Sequence, residues 1–201
     1  LTYGGTLKDG VGGVDGLDNP RSVTLSADGA YAYIVGNADD SVSWFDRNAT
    51  TGGLTYGGTM KDGVGGVDGL DGARIVTLSA DGAHAYAVAS TDVSVSWFAR
   101  NASTGALTYG GMLKDGVGGV DGLDGAFGLT LSSDGNHAYV TGYVEGAVSW
   151  YERNASTGAL TYGGILKHGE GGVGGLDNAN GVTLSDNGAH VYVVAGSYSA
   201  V

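Results

Sequence analysis

Residues 72–111 read GARIVTLSADGAHAYAVASTDVSVSWFARNASTGALTYGG, and this stretch decides the fold. Ile75 to Ser79 is a short apolar run rich in β-branched residues, and Ala80-Asp81-Gly82 after it is a tight hairpin signal. His84 to Ala89 alternates as a second strand, and Ser94 to Phe98 forms a third after a variable loop. The run from Asn101 to Gly105 turns the chain into a fourth strand, Leu107 to Gly111. Helical periodicity is absent. Four short antiparallel strands rich in aromatic and β-branched residues describe a β-propeller blade. A β-solenoid is the competing architecture, but its coils are shorter and need no such succession of hairpin turns.

The same pattern recurs along the whole chain. LTYGG occurs at Leu1, Leu54, Leu107 and Leu160, a period of 53 residues. The units are 1–53, 54–106, 107–159 and an incomplete 160–201. A period of this size means one supersecondary unit per repeat, with its faces buried by its neighbours. The reading is an all-β chain, a single β-propeller domain or part of one.

The run GLDGARIVTLSADGAHAYAV, with VSVSWFARNASTGALTYGG after it, resembles the blades of lactonase-type and YVTN-type propellers. Their blades carry a pattern close to VAVSPDG, VYVA, VSVF and TG.LT. The SPDG of that pattern stands here as SADG, SADG, SSDG and SDNG. The resemblance covers essentially the whole chain. It implies the fold, and it implies hydrolysis of a sugar-derived lactone by charged residues in the central channel. Arg21, Arg74, His168 and Glu170 are the residues such chemistry could recruit.

Composition narrows the setting. Glycine supplies 41 of 201 residues without a Gly-X-Y period, and with one proline this excludes collagen. Hydrophobic residues make up 42%, enough for a core and against disorder. No apolar run approaches the roughly 20 residues of a membrane-spanning helix, so membrane insertion is not expected. The net charge of −12 disfavours nucleic acid and anionic membrane surfaces, which are bound through Lys and Arg. With no cysteine there is neither a disulfide framework nor a thiol nucleophile. The compartment stays open, with secreted, periplasmic or cell-surface placement favoured.

The chain opens at Leu1 on an outer strand, without methionine or a signal-like run, and stops at Val201, at the start of a third strand. Leu1 to Leu7 could close a four-bladed ring as the outer strand of the last blade. The favoured alternative is a larger ring, completed by self-association or by further residues, with eight blades from two chains as the tidy version.

Candidate chemistry falls into three groups. The acidic connection repeats Asp15 and Asp18 as Asp68 and Asp71 and as Asp121 and Asp124, with Asp177 alone in the last unit. These carboxylates could hold calcium, although turn capping by Asp explains them more simply. His168 and Glu170 form the only locally unique ionisable pair and are the catalytic or metal candidates, against loop drift. Positions where the units differ form the third group. The first residue of the inner strand is Arg21, Arg74, Phe127 or Asn180, and the loop after the second strand carries Asp39, Asp92, Tyr143, Glu145 and Tyr198. In a propeller this loop and the acidic connection emerge on one face, around the mouth of the channel, where a ligand would sit.

Three further features have structural readings. His84, His137 and His190 share one position with Tyr31 and read as half-exposed packing. Trp44, Trp97 and Trp150 read as inter-blade packing. The sequons at Asn48, Asn101 and Asn154 match glycosylation sites but sit where hairpin turns need such residues. Near-identical units present the same groups around an axis, whereas catalysis needs an asymmetric set. The expected function is therefore a non-catalytic binding or structural module for a glycan or protein partner, without cofactor. Lactonase-like hydrolysis and calcium binding are the alternatives.

Overall fold

The computed structural model describes residues 3–196, and all regular structure within them is β-strand. The first blade contains β1 (Pro20–Leu25), β2 (Tyr31–Gly36), β3 (Ser41–Arg47) and β4 (Leu54–Lys61). The second contains β5 (Ala73–Leu78), β6 (His84–Ala89), β7 (Ser94–Arg100) and β8 (Leu107–Lys114). The third contains β9 (Ala126–Leu131), β10 (His137–Gly142), β11 (Ala147–Arg153) and β12 (Leu160–Lys167). A pair, β13 (Ala179–Leu184) and β14 (Val191–Ala195), follows. Each blade is a four-stranded antiparallel meander in chain order, so the β-propeller reading holds.

Strand edges differ from the sequence reading in one systematic way. The third and fourth strands run on to Arg100 and Lys114, with Arg100 opposite Leu107 and Ser94 opposite Lys114. Hydrophobic patterning stops short because these ends are polar. Their backbones stay in the ladder while their charged heads bond elsewhere.

The turns form for identifiable reasons. Ser79 Oγ donates to Asp81 Oδ1 at 2.5 Å and accepts the His84 N–H at 3.0 Å, while Asp81 accepts Ala83 N–H at 2.9 Å. That network closes the first hairpin and recurs at Ser26, Ser132 and Ser185. At the next turn, Asn101 Oδ1 accepts the N–H groups of Ser103 and Thr104, and Asn48 and Asn154 do the same in their units. Turn chemistry thus accounts for the Asn of each sequon.

The Gly-Gly of LTYGG has a steric cause. Each Trp ring lies across the glycine pair of its own blade. A Cβ on Gly110 would stand 2.5 Å from Trp97 Cδ1, and one on Gly111 would stand 2.7 Å from Trp97 Cζ2. Trp97 also abuts the apolar cluster between blades, so it serves both packings.

Cores lie between blades. Tyr33, Val35 and Val42 of the first blade pack with Leu70, Val76, Phe98 and Leu107 of the second, all at most 3% exposed. Tyr86, Val88 and Val95 of the second pack with Leu123, Leu129, Tyr151 and Leu160 of the third. An arginine clamps each joint. Arg100 Nε donates to Tyr33 OH, which donates to the Gly105 carbonyl at 2.9 Å. Arg153 Nε donates to Tyr86 OH, which donates to Gly158 O at 2.9 Å.

His84 belongs to the second clamp rather than to a half-exposed surface: it is 4% exposed, with Nδ1 2.9 Å from Arg153 Nη2. Burial first, and the Arg153 charge second, push its pKa down. The β13–β14 pair packs on the third blade. Residues 3–7 form no strand.

Candidate functional site

The loops after the second strands and the acidic connections do share one face. Asp18 N–H donates to Asp39 at 2.8 Å, Asp71 N–H to Asp92 at 3.0 Å, and Asp124 N–H to Glu145 at 3.4 Å. The connection is pinned from its other end as well. Asp9, Asp62 and Asp115 accept the N–H of Leu17, Leu70 and Leu123 at 2.9–3.0 Å. Three carboxylate trios result: Asp9, Asp15 and Asp39; Asp62, Asp68 and Asp92; Asp115, Asp121 and Glu145.

Each trio contains a lysine ammonium from the end of a fourth strand. Lys61 Nζ reaches Asp15 at 2.8 Å and Asp39 at 2.9 Å; Lys114 reaches Asp92 at 3.1 Å; Lys167 reaches Glu145 at 2.6 Å. Hydrogen bonds that Lys61 donates to Asp15 and Asp39 raise its pKa. Burial alone would raise Asp39, but the Asp18 N–H and Lys61 outweigh it and hold that carboxyl below its ordinary value. Where compensation is weaker the direction reverses. Burial, then the charges of Asp92, Asp68 and Asp40, raise Asp62. Burial, then Asp40, Asp92 and Asp62, raise Asp71. Of the calcium candidates, Asp15, Asp68 and Asp121 join trios, whereas Asp18, Asp71, Asp124 and Asp177 do not. The roles of Asp9, Asp62, Asp115 and the three lysines were not singled out from sequence. Their recurrence with the period through the first three units was the available signal.

At the inner edge of this face the variable positions come together. The Arg74 guanidinium lies over the Phe127 ring at 5.0 Å, and Phe127 stacks with Tyr143 at 5.9 Å between centroids. Arg74 Nε donates to Ser90 Oγ at 3.0 Å, and Ser90 in turn donates to the carbonyl of Gly72, next to Asp71. Asp40 Oδ1 accepts the Gly72 N–H at 2.9 Å. A cation and two aromatic rings therefore meet where two blades join.

Arg21 is exposed at the same position of the first blade, and Asn180 is half-buried at that of β13. Of nine basic residues, three lysines serve the trios and three arginines (Arg47, Arg100 and Arg153) hold third strands to neighbouring turns. Arg21 and Arg74 are thus the arginines left for the inner rim. His168 is half-buried and Glu170 exposed, just beyond β12, where His168 replaces the pinning aspartate of the other units. Tyr198 lies outside the described residues.

No protein-family model matches the chain, and no curated protein matches it in sequence. Solved structures do match in fold. A Pseudomonas aeruginosa periplasmic gluconolactonase superposes with a TM-score of 0.66 at 20% identity, over 88% of this chain and 42% of its own. A Bacteroides fragilis protein designated a 6-phosphogluconolactonase gives 0.64 at 21% identity, over 87% of this chain and 42% of its own. A Lactobacillus plantarum protein gives 0.67 at 21% identity, over 87% of this chain and 50% of its own.

The chain spans about half the length of these proteins or less, and it shares the fold of lactonase-type propellers. These neighbours overturn the expectation of a non-catalytic module and support the lactonase-like alternative in its place. The physical reason lies at the rim. Near-identity of the units holds for turns and joints, but the inner positions differ from blade to blade and make an asymmetric set there.

Proposed function

We propose that the chain carries lactonase-like hydrolase chemistry, acting on a sugar-derived lactone at the rim formed by Arg74, Phe127 and Tyr143. The observation that supports this reading is the meeting of those three side chains across a blade joint. It occurs in a fold shared with proteins designated gluconolactonase and 6-phosphogluconolactonase. The faces of Phe127 and Tyr143 suit the C–H face of a sugar ring, and the guanidinium of Arg74 suits a carbonyl oxygen that gains negative charge.

Hydrolysis then needs one base. We assign that role to Asp71, whose pKa is raised above its ordinary value by burial and then by Asp40, Asp92 and Asp62, a direction that makes it a better proton acceptor. Water adds to the lactone carbonyl carbon and gives its proton to Asp71, while the carbonyl oxygen becomes an oxyanion beside Arg74. Collapse re-forms the carbonyl and breaks the bond to the ring oxygen. That oxygen takes the proton back from Asp71, leaving an open-chain hydroxy acid.

The test is hydrolysis of gluconolactone and of its 6-phosphate, followed as acid release. Arg74→Ala and Asp71→Asn should each lower kcat/KM by about 100-fold without changing Tm. Wild-type protein that releases acid no faster than buffer would sink the reading.

A further inference from the structure

Each internal joint has a leading face, on the blade that follows, and a trailing face, on the blade that precedes. At the first joint Tyr33 donates to Gly105 O and receives Arg100, while Tyr31 lies against Gly105. At the second, Tyr86 donates to Gly158 O and receives Arg153, while His84 lies against Gly158. The glycine is what lets the aromatic residue approach: a Cβ on Gly105 would stand 2.3 Å from Tyr31, and one on Gly158 would stand 2.3 Å from His84.

The first blade displays the same leading face uncovered. Val23 is 64% exposed, whereas its equivalents Val76 and Leu129 are 3% and 8% exposed. A groove of about 540 Å³ opens on this blade, lined by Leu17, Pro20, Ile34 and the turn from Thr51 to Leu54, with the segment from Gly4 to Leu7 as its other wall. Gly52 in that turn is the repeat equivalent of Gly105 and Gly158. Arg47 already donates to Gly29 O at 2.9 Å, just as Arg100 and Arg153 do to Gly82 and Gly135 in the clamps.

The matching trailing face is on β13–β14. His190 and Tyr192 occupy the positions of His84 and Tyr86, with their rings 6.5 Å apart. Tyr192 is 48% exposed and Val194 is 43% exposed, where Tyr86 and Val88 are fully buried.

We propose that a second copy of this chain docks head to tail, its β13–β14 face seated in the groove of the first blade. The Tyr192 hydroxyl then donates to the Gly52 carbonyl, Arg47 donates to Tyr192, and Val23 is covered. A second copy is the occupant because the face that fits the groove is carried by the same molecule, and because the contact continues a joint the chain already makes twice. Such an interface is heterologous, so each copy offers one socket and one plug.

Sedimentation equilibrium of the 201-residue chain tests this. Wild-type protein should exceed its 20.0 kDa monomer mass as concentration rises. Val23→Asp spoils the socket and Tyr192→Ala the plug, at exposed positions that leave Tm unchanged. Each variant alone should stay monomeric, and an equimolar mixture should give a dimer of twice 20.0 kDa, because one good socket and one good plug remain. A wild-type chain that stays monomeric, variants that assemble like wild type, or a mixture that yields no dimer would each overturn the proposal.

Discussion

Replacing Arg153 by methionine isolates the clamp between the second and third blades. The side chain is 2% exposed, and its guanidinium makes four contacts. It donates to Tyr86 OH, to Gly135 O at 2.9 Å and to Asp81 Oδ2 at 3.1 Å, and it lies 2.9 Å from His84 Nδ1. Methionine keeps the apolar length and removes all four. Tyr86 retains Gly158 O as a partner, so the new orphans are the buried Gly135 carbonyl and His84 Nδ1.

Two buried groups left without partners cost about 1–3 kcal/mol each. Releasing a desolvated guanidinium returns part of that. Asp81 has a side chain 46% exposed, so losing its ion pair adds only about 0–1 kcal/mol. The expected net loss is about 3 kcal/mol in urea unfolding. Arg100→Met is the control, because Arg100 holds Tyr33 and Gly82 O but faces Tyr31 in place of His84. It should cost less, about 1–2 kcal/mol. A cycle combining Arg153→Met with Tyr86→Phe should show coupling of about 1 kcal/mol or more. A loss under about 1 kcal/mol for Arg153→Met, or a larger loss for Arg100→Met, would refute the clamp.

Two further perturbations read other parts of the fold. Gly111→Ala puts a Cβ 2.7 Å from Trp97 at a φ of +144°, and should lower stability by about 2–4 kcal/mol in thermal or urea unfolding, whereas a neutral outcome would contradict the ring-on-glycine packing. Stability should also fall on acidification in two windows. His84 has a folded pKa below its ordinary value, so its contribution is full above about pH 6.5 and is lost as pH falls through the folded pKa. At Asp81, burial is outweighed by Ser79, Ala83 N–H and Arg153, which hold the pKa at about 2; its contribution is present above 3.8 and is lost toward 2. His84→Tyr, the residue type at position 31, should flatten the upper window, and an unchanged pH profile would count against a buried neutral His84.

The blade was legible because its information is local. Ser79-Ala-Asp-Gly82 and Asn101 to Gly105 carry their own hydrogen bonds, each within a few residues, and the strands between them alternate. The lactonase-type resemblance rested on those same local runs, and the neighbours share the fold. Site positions were legible only as places where units differ. Period counting brought Arg74, Phe127 and Tyr143 to one face, but their contact depends on how adjacent blades are set against each other. The expectation of a non-catalytic module failed for the same reason, since counting shared residues overlooks what a few unshared ones do when neighbours bring them together.

The sequence by itself determined the repeat, the strand order within a blade and the chemistry of every hairpin. Each of these is settled by φ/ψ preferences and side-chain bonds over a handful of residues. Only the tertiary structure decided that Arg153 would close on Tyr86, 67 residues away, and that Lys61 would neutralise Asp15, 46 residues away. Those outcomes depend on the distance and angle between packed sheets, which burial of apolar faces sets for all blades together.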